Sequence, residues 1–166
     1  SSKAGYAALV AEADRNGVGV PFGGGVGQDA KDPQTYVVSL SQSGLGLPDR
    51  DYYLSADPKL AEAKAAYQAH IAKMFTLAGE PNAEARAKAI VDLETEIARV
   101  SWTRIDSRNA DKTYNKMSVA QLQQVAPGFD FAAYLSGAGM ATDAVVVRQP
   151  SAVAGIAKLI ADAPLE

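Results

Sequence analysis

The chain contains no cysteine. That excludes thiol nucleophiles, cysteine–zinc sites and disulfide staples. It leaves the compartment open, because 166 residues can bury a sufficient core without disulfides. Histidine is nearly as scarce, with His70 the single example. One imidazole cannot supply the convergent ligands of a metal centre. The net charge of −3 gives no basic surface for nucleic acid. No apolar run approaches the ~20 residues of a membrane span, and no charged-then-apolar leader opens the chain.

What is present is an ordinary globular balance, 48% hydrophobic and 21% charged, enough for one domain. Residues 3–16 have Tyr6, Leu9, Val10 and Ala13 on one helical face, and Asn16-Gly17 ends the pattern. Two strands, about 20–28 and 34–42, are expected to form a hairpin through an Asp/Pro turn, with Pro21 at a strand start or edge. Asp57 and Pro58 open a helix that runs to about Ala78 and stops at Gly79. Its expected buried stripe is Leu60, Tyr67, Ile71, Met74 and Ala78. A second long helix, about 83–103, carries Ala83, Ile90, Leu93, Ile97 and Val100 on one face and an expected Glu84–Lys88 pair. Ser118 with Gln121 forms a capping box, Asp130 caps a short helix, residues 144–148 read as a strand, and Pro150 opens the last helix. The fold class is therefore mainly α, with one β-hairpin and a short extra strand, in a single domain over 1–166.

Several chemical readings fail on spacing. Gly25-Val-Gly27 loosely fits a dinucleotide fingerprint, but Pro33 argues against the helix that such a loop must open. No Lys-Ser/Thr follows the glycines, so there is no phosphate loop. His70 reads as a helix histidine at the core boundary. Glu94 and Glu96 point about 200° apart around a helix and cannot share a site. Asp92, Glu96 and Arg99 read as a solvated charged face. The polar stretch 102–117, with Arg104, Asp106, Arg108 and Asp111, reads as a charge-paired connector, or alternatively as a partner-facing surface.

The most specific stretch is Ser41 to Leu54, SQSGLGLPDRDYYL. Gly44 and Gly46 permit unusual backbone angles. Pro48 fixes its own φ and restrains Leu47. Asp49 can close an Asx turn. Tyr52, Tyr53 and Leu54 offer a large packing area. This pattern reads as a structural corner rather than a catalytic loop.

G-L-G-L-P-D-R-D-Y-Y-L resembles a signature of the N-terminal helical domain of the neprilysin and endothelin-converting-enzyme family of zinc metallopeptidases. V-G-Q-D-A-K-D-P-Q-T-Y at 26–36, A-Y-Q-A-H-I-A-K-M-F-T-L-A-G at 66–79, L-E-T-E-I-A at 93–98, Y-N-K-M-S at 114–118 and V-V-V-R-Q-P at 145–150 are similar to family stretches in the same order. The resemblance covers most of the chain from residue 18 onward. It implies a structural role for Gly44, Leu45, Leu47, Pro48, Asp49, Tyr52, Tyr53, Tyr114 and Asn115.

The family's H-E-x-x-H, E-x-x-x-D and N-A-Y-Y motifs do not occur in these 166 residues. No catalytic or metal residue is therefore assigned. The resemblance implies zinc in a catalytic domain elsewhere in the same polypeptide, peptide substrates for the parent enzyme, and an extracytoplasmic location. The chain itself would be a non-catalytic lid or substrate-access part. The alternatives are a stand-alone helical interaction module and, last, an enzyme using carboxylates alone. Ser1 in place of an initiator Met, and an end directly after a helical segment, suggest a piece of a longer protein. Apolar surface left uncovered would favour self-association.

Overall fold

The computed structural model describes residues 3–164. A 3-10 turn over Lys3–Gly5 leads into α1 (Tyr6–Arg15). The hairpin β1 (Phe22–Asp29) and β2 (Asp32–Gln42) follows, then a single-turn α2 (Asp51–Leu54), α3 (Pro58–Leu77) and α4 (Ala83–Val100). The rest of the chain forms α5 (Arg104–Ser107), β3 (Asn115–Ser118), α6 (Val119–Val125), α7 (Phe131–Gly137), β4 (Ala144–Val147) and α8 (Pro150–Asp162). The described residues are mainly α, with a four-stranded mixed sheet.

The chain divides into two compact units. One comprises residues 1–44 and 102–166, the other 45–101.

The first unit is built on the sheet, in order β1-β2-β4-β3. β1 and β2 are antiparallel. β2 and β4 run parallel, with Val38 opposite Val145 and Leu40 opposite Val147. Alternation along β2 buries Val38 and Leu40 and leaves Val37 and Ser39 on the other face. Phe22, Phe129, Phe131 and Tyr134 form an aromatic cluster under the sheet, with ring centroids 4.9–5.8 Å apart in four pairings. Val153 and Ile156 of α8 and Leu135 of α7 complete the core, all buried. The Tyr134 hydroxyl donates to Asp14 Oδ2 of α1 at 2.7 Å, which gives its buried polar end a partner.

Gly128 lies so close to α8 that a Cβ there would sit 2.2 Å from the Ala157 carbonyl oxygen. The capping box on α6 has both reciprocal bonds, Gln121 N to Ser118 Oγ and Ser118 N to Gln121 Oε1.

The second unit is the α2, α3 and α4 group. Asp57 caps α3 by accepting from Lys59 N, Pro58 occupies its first turn, and Gly79 turns away from its end at φ +73°.

Five expectations need correction. The hairpin turn is Ala30-Lys31, and Pro33 lies inside β2. Residues 115–118, read as irregular connector, form β3. α3 buries none of its expected stripe: Met74 is 52% exposed, Ala78 is exposed, and Leu60, Tyr67 and Ile71 are only half-buried. His70 is exposed rather than at a core boundary. Lys88 pairs with Asp92 rather than Glu84, and α4 buries Ala87, Val91, Ile97 and Ala98 while Leu93 stays exposed. Periodicity shows which side chains share a face; whether another element covers that face depends on the tertiary fold.

Candidate functional site

The corner stretch becomes a hydrogen-bonded hub in the second unit. Asp49 Oδ1 accepts from Asp51 N at 2.9 Å, an Asx turn that starts α2. That turn places Tyr53 in the core, 4% exposed. The Tyr53 hydroxyl accepts from Leu47 N at 2.9 Å and donates to Glu94 Oε2 of α4 at 2.7 Å. The Tyr67 hydroxyl of α3 donates to Glu94 Oε1 at 3.0 Å. Lys64 Nζ of α3 donates to the Tyr53 carbonyl at 3.1 Å. A single carboxylate thus ties all three helices together.

Gly46 makes that approach possible, since a Cβ there would fall 1.8 Å from the Tyr67 hydroxyl oxygen. Burial first, and then the Glu94 hydrogen bond, raises the Tyr53 hydroxyl above its usual range. Burial and then the Glu94 charge push Tyr67 up to about 12. Both tyrosines stay neutral donors at neutral pH, and both Glu94 oxygens are engaged. The arrangement holds helices together and offers no available general base.

The other marked residues stand as follows. Leu45 and Tyr52 are half-buried, and Pro48 is exposed. Gly44 closes the first unit at φ +91°, where only glycine is unstrained. Just before it, the Gln42 side chain clasps Trp102, accepting from Trp102 N at 2.7 Å and donating to its carbonyl at 3.1 Å. The chain therefore leaves and re-enters the first unit at one point.

Tyr114 and Asn115 anchor β3 in the first unit. The Tyr114 hydroxyl donates to Asp29 Oδ1 at 2.8 Å and Lys116 Nζ donates to Asp29 Oδ2 at 2.8 Å, while Lys31 N supplies a third bond at 2.9 Å. Asn115 Nδ2 donates to the Val147 carbonyl of β4 at 3.0 Å and to the Lys112 carbonyl at 2.7 Å. The Lys116 hydrogen bond, with those from Lys31 N and Tyr114, holds the Asp29 carboxyl well below the ordinary carboxylate range.

A depressed native value contributes stability above the unfolded value of about 3.9, and the contribution is lost as pH falls through the native one. Asp29→Asn should therefore lower stability at pH 7 and flatten the loss on acidification below about pH 4. Urea denaturation at pH 7 and pH 3 checks this; equal pH dependence in both proteins would refute it.

The nine residues do not converge on one site. Gly44, Tyr114 and Asn115 belong to the first unit, and Leu45, Leu47, Pro48, Asp49, Tyr52 and Tyr53 to the second. Glu94 and Lys64 are hub residues with no local sequence signal, and Gly46, expected for its backbone angles, is needed instead for the close approach of Tyr67. Glu94 was weighed only against Glu96, which instead pairs with Arg99 on the exposed face of α4. Zinc does not fit the residues present. His70 is exposed, and among the described residues no group of three or more His, Cys, Asp or Glu could hold a metal.

The fold is thus a helical assembly with a small mixed sheet, organised by tyrosine–carboxylate anchors. Residues 1–166 match the N-terminal model of peptidase family M13, and the chain belongs to that family. It is 33% identical over 129 residues to the endothelin-converting enzyme homolog of Locusta migratoria, covering 75% of this chain and 17% of that protein. It is 30% identical over 113 residues to endothelin-converting enzyme 1 of Bos taurus, covering 67% of this chain and 15% of that protein.

Among solved structures, inhibitor-bound Mycobacterium tuberculosis zinc metalloprotease Zmp1 matches with 38% identity and a TM-score of 0.87, over 95% of this chain and 25% of that one. Zmp1 in its open state matches with 37% identity and a TM-score of 0.90, over 99% of this chain and 26% of that one. The chain spans less than a fifth of these curated relatives, 17% and 15%. No helix among the described residues is long and apolar enough to cross a membrane.

Proposed function

We propose that this chain is a non-catalytic part of the N-terminal domain of a zinc metalloendopeptidase, and that it helps enclose the space through which peptides reach a catalytic domain. The observation that carries this reading is the family match across residues 1–166, in a chain whose described residues include no group that could hold a metal. In this reading residues 1–166 act as one piece of the larger domain, with no enzymatic activity of their own. The catalytic domain of the same polypeptide is the partner, and it supplies the zinc and the peptide-bond chemistry. Kinship with a zinc metalloprotease and with endothelin-converting enzymes supports peptide substrates and an extracytoplasmic location.

The role of the marked residues is architectural. Leu47, Asp49 and Tyr53 hold α2 against α3 and α4, while Tyr114 and Asn115 hold β3 in the sheet. Leu77 at 72% exposed, Met74 at 52% and Ile105 at 84% are large apolar side chains of the kind a partner domain covers. The isolated chain is accordingly expected to self-associate.

The test is to read the gene on both sides of this stretch and to assay the full-length product. H-E-x-x-H in the same polypeptide, bound zinc and chelator-sensitive cleavage of a quenched peptide are expected. A full-length product with no zinc ligands and no cleavage would overturn the reading and leave a helical interaction module.

A further inference from the structure

One face of the sheet in the first unit packs on the aromatic core; the other carries a cleft of about 330 Å³. Val37 and Ser39 of β2 and Val146 of β4 line it together with Tyr114, Arg108 and Arg148. Ser39 is opposite Val146 in the β2–β4 ladder, so these two lie side by side.

Neither the Arg108 nor the Arg148 side chain has a hydrogen-bond or ion-pair partner among the described residues. Two carboxylates of this unit are bound by lysines instead. Asp29 is held by Lys116 and Tyr114, and Asp106 by Lys112. The hydroxyl donors of the cleft are spent as well. Ser39 Oγ donates to the Gly25 carbonyl at 3.4 Å, Thr113 Oγ1 to the Asn109 carbonyl at 2.9 Å, and the Tyr114 hydroxyl to Asp29. The donors left over are those of two guanidiniums and the second N–H of the Gln28 amide, whose first donates to the Pro33 carbonyl at 2.7 Å, beside an apolar surface. That combination suits a ligand that only accepts hydrogen bonds and carries negative charge.

Guanidinium forks match the planar carboxylate in particular. Phosphate sites commonly add a cradle of free backbone amides. Here the nearby glycines Gly25 and Gly27 are committed to the β1–β2 ladder.

We propose that this cleft is a carboxylate-binding site, with Arg108 and Arg148 as the anion-binding residues. The carboxylate comes from a polypeptide, either an acidic side chain of a bound peptide or an acidic residue elsewhere in the parent chain. The peptide source rests on the function proposed above. The carboxylate site itself does not.

The experiment uses the full-length polypeptide with a chelator present, so that binding is read without turnover. A rhodamine-labelled, C-terminally amidated hexapeptide with a central Glu is compared by fluorescence anisotropy with its Gln counterpart. If a peptide is the ligand, the Glu form binds about tenfold tighter, as expected for charge-assisted bonds. That preference weakens with salt, falls to about one in R108Q/R148Q, and returns in part in R108K/R148K. If the parent chain supplies the carboxylate, the peptides bind alike, R108Q/R148Q melts lower than the parent, and R108K/R148K recovers part of the loss.

No Glu preference together with unchanged melting overturns the site. Equal melting loss in the Gln and Lys variants also overturns it, because packing rather than charge would then be responsible. Inorganic phosphate displacing the Glu peptide at lower concentration than acetate does would overturn the carboxylate assignment. A full Glu preference in a protein that cleaves no peptide would sink the peptidase reading alone.

Discussion

Phe131→Ala should destabilise the chain by about 3–5 kcal/mol, the usual cost of emptying a buried phenylalanine site. Phe131 is 0% exposed, and its ring lies 5.1 Å from both Phe22 and Phe129. The site cannot collapse easily, because its neighbours are held from several sides. Phe22 is fixed in β1 by the ladder, and Tyr134 is tied to Asp14 of α1. Close packing between α1 and α7 leaves little slack, since a Cβ on Gly137 would meet the Ala11 Cβ at 2.8 Å. Against a typical domain stability of about 5–15 kcal/mol, a loss of this size is a large fraction. Phe131→Leu keeps much of the volume and should cost under about 2 kcal/mol. Urea denaturation midpoints of the two variants measure both effects. A loss below about 1 kcal/mol for Phe131→Ala would mean that the aromatic cluster does not hold this unit together.

That cluster was only partly legible in the sequence. Asp130 as a cap and the short helix after it followed from local chemistry, and Asp130 Oδ1 does accept from Ala133 N. The convergence of Phe22 with residues more than 100 positions away did not, because nothing local encodes which strand covers which helix.

The same limit explains β3. Asn115-Lys-Met-Ser118 has little strand propensity, and it is a strand because β4 offers it an edge, with Asn115 opposite Val147. α3 shows the converse. Its cap, its first-turn proline and its terminal glycine were all readable, and each is in place. Its stripe was readable too, yet none of its residues is buried among the described elements. Local rules set the helix, whereas burial depends on what packs against it. At the corner, the Asx turn at Asp49 followed from residue type, whereas the Glu94 bridge joins Tyr53 to a residue 41 positions away and carried no local signal.

That bridge is the second large effect expected. Glu94→Ala removes the acceptor for two tyrosine hydroxyls on two different helices. A hydrogen bond to a charged group contributes about 1.5–3 kcal/mol. Glu94 is half-buried, so solvent screening reduces each bond toward the lower end. The expected loss is about 2–3 kcal/mol, concentrated in the α2, α3 and α4 unit. Glu94→Gln keeps the volume and one acceptor, and should lose about half as much.

The alkaline limb gives an independent check. Tyr67 is pushed up to about 12, against an unfolded value of about 10. A raised value contributes stability that is complete below about pH 10 and is lost as pH rises toward 12. Without the Glu94 charge the folded value falls back toward the unfolded one, so Glu94→Gln should show a shallower loss between pH 10 and 12. Burial is the larger cause of the shift, so part of the slope should persist. Amide exchange in α3 and α4 would localise the effect, with faster exchange there and unchanged rates in the sheet. Uniform acceleration across both units would show that Glu94 acts on the whole chain rather than on the helices it joins.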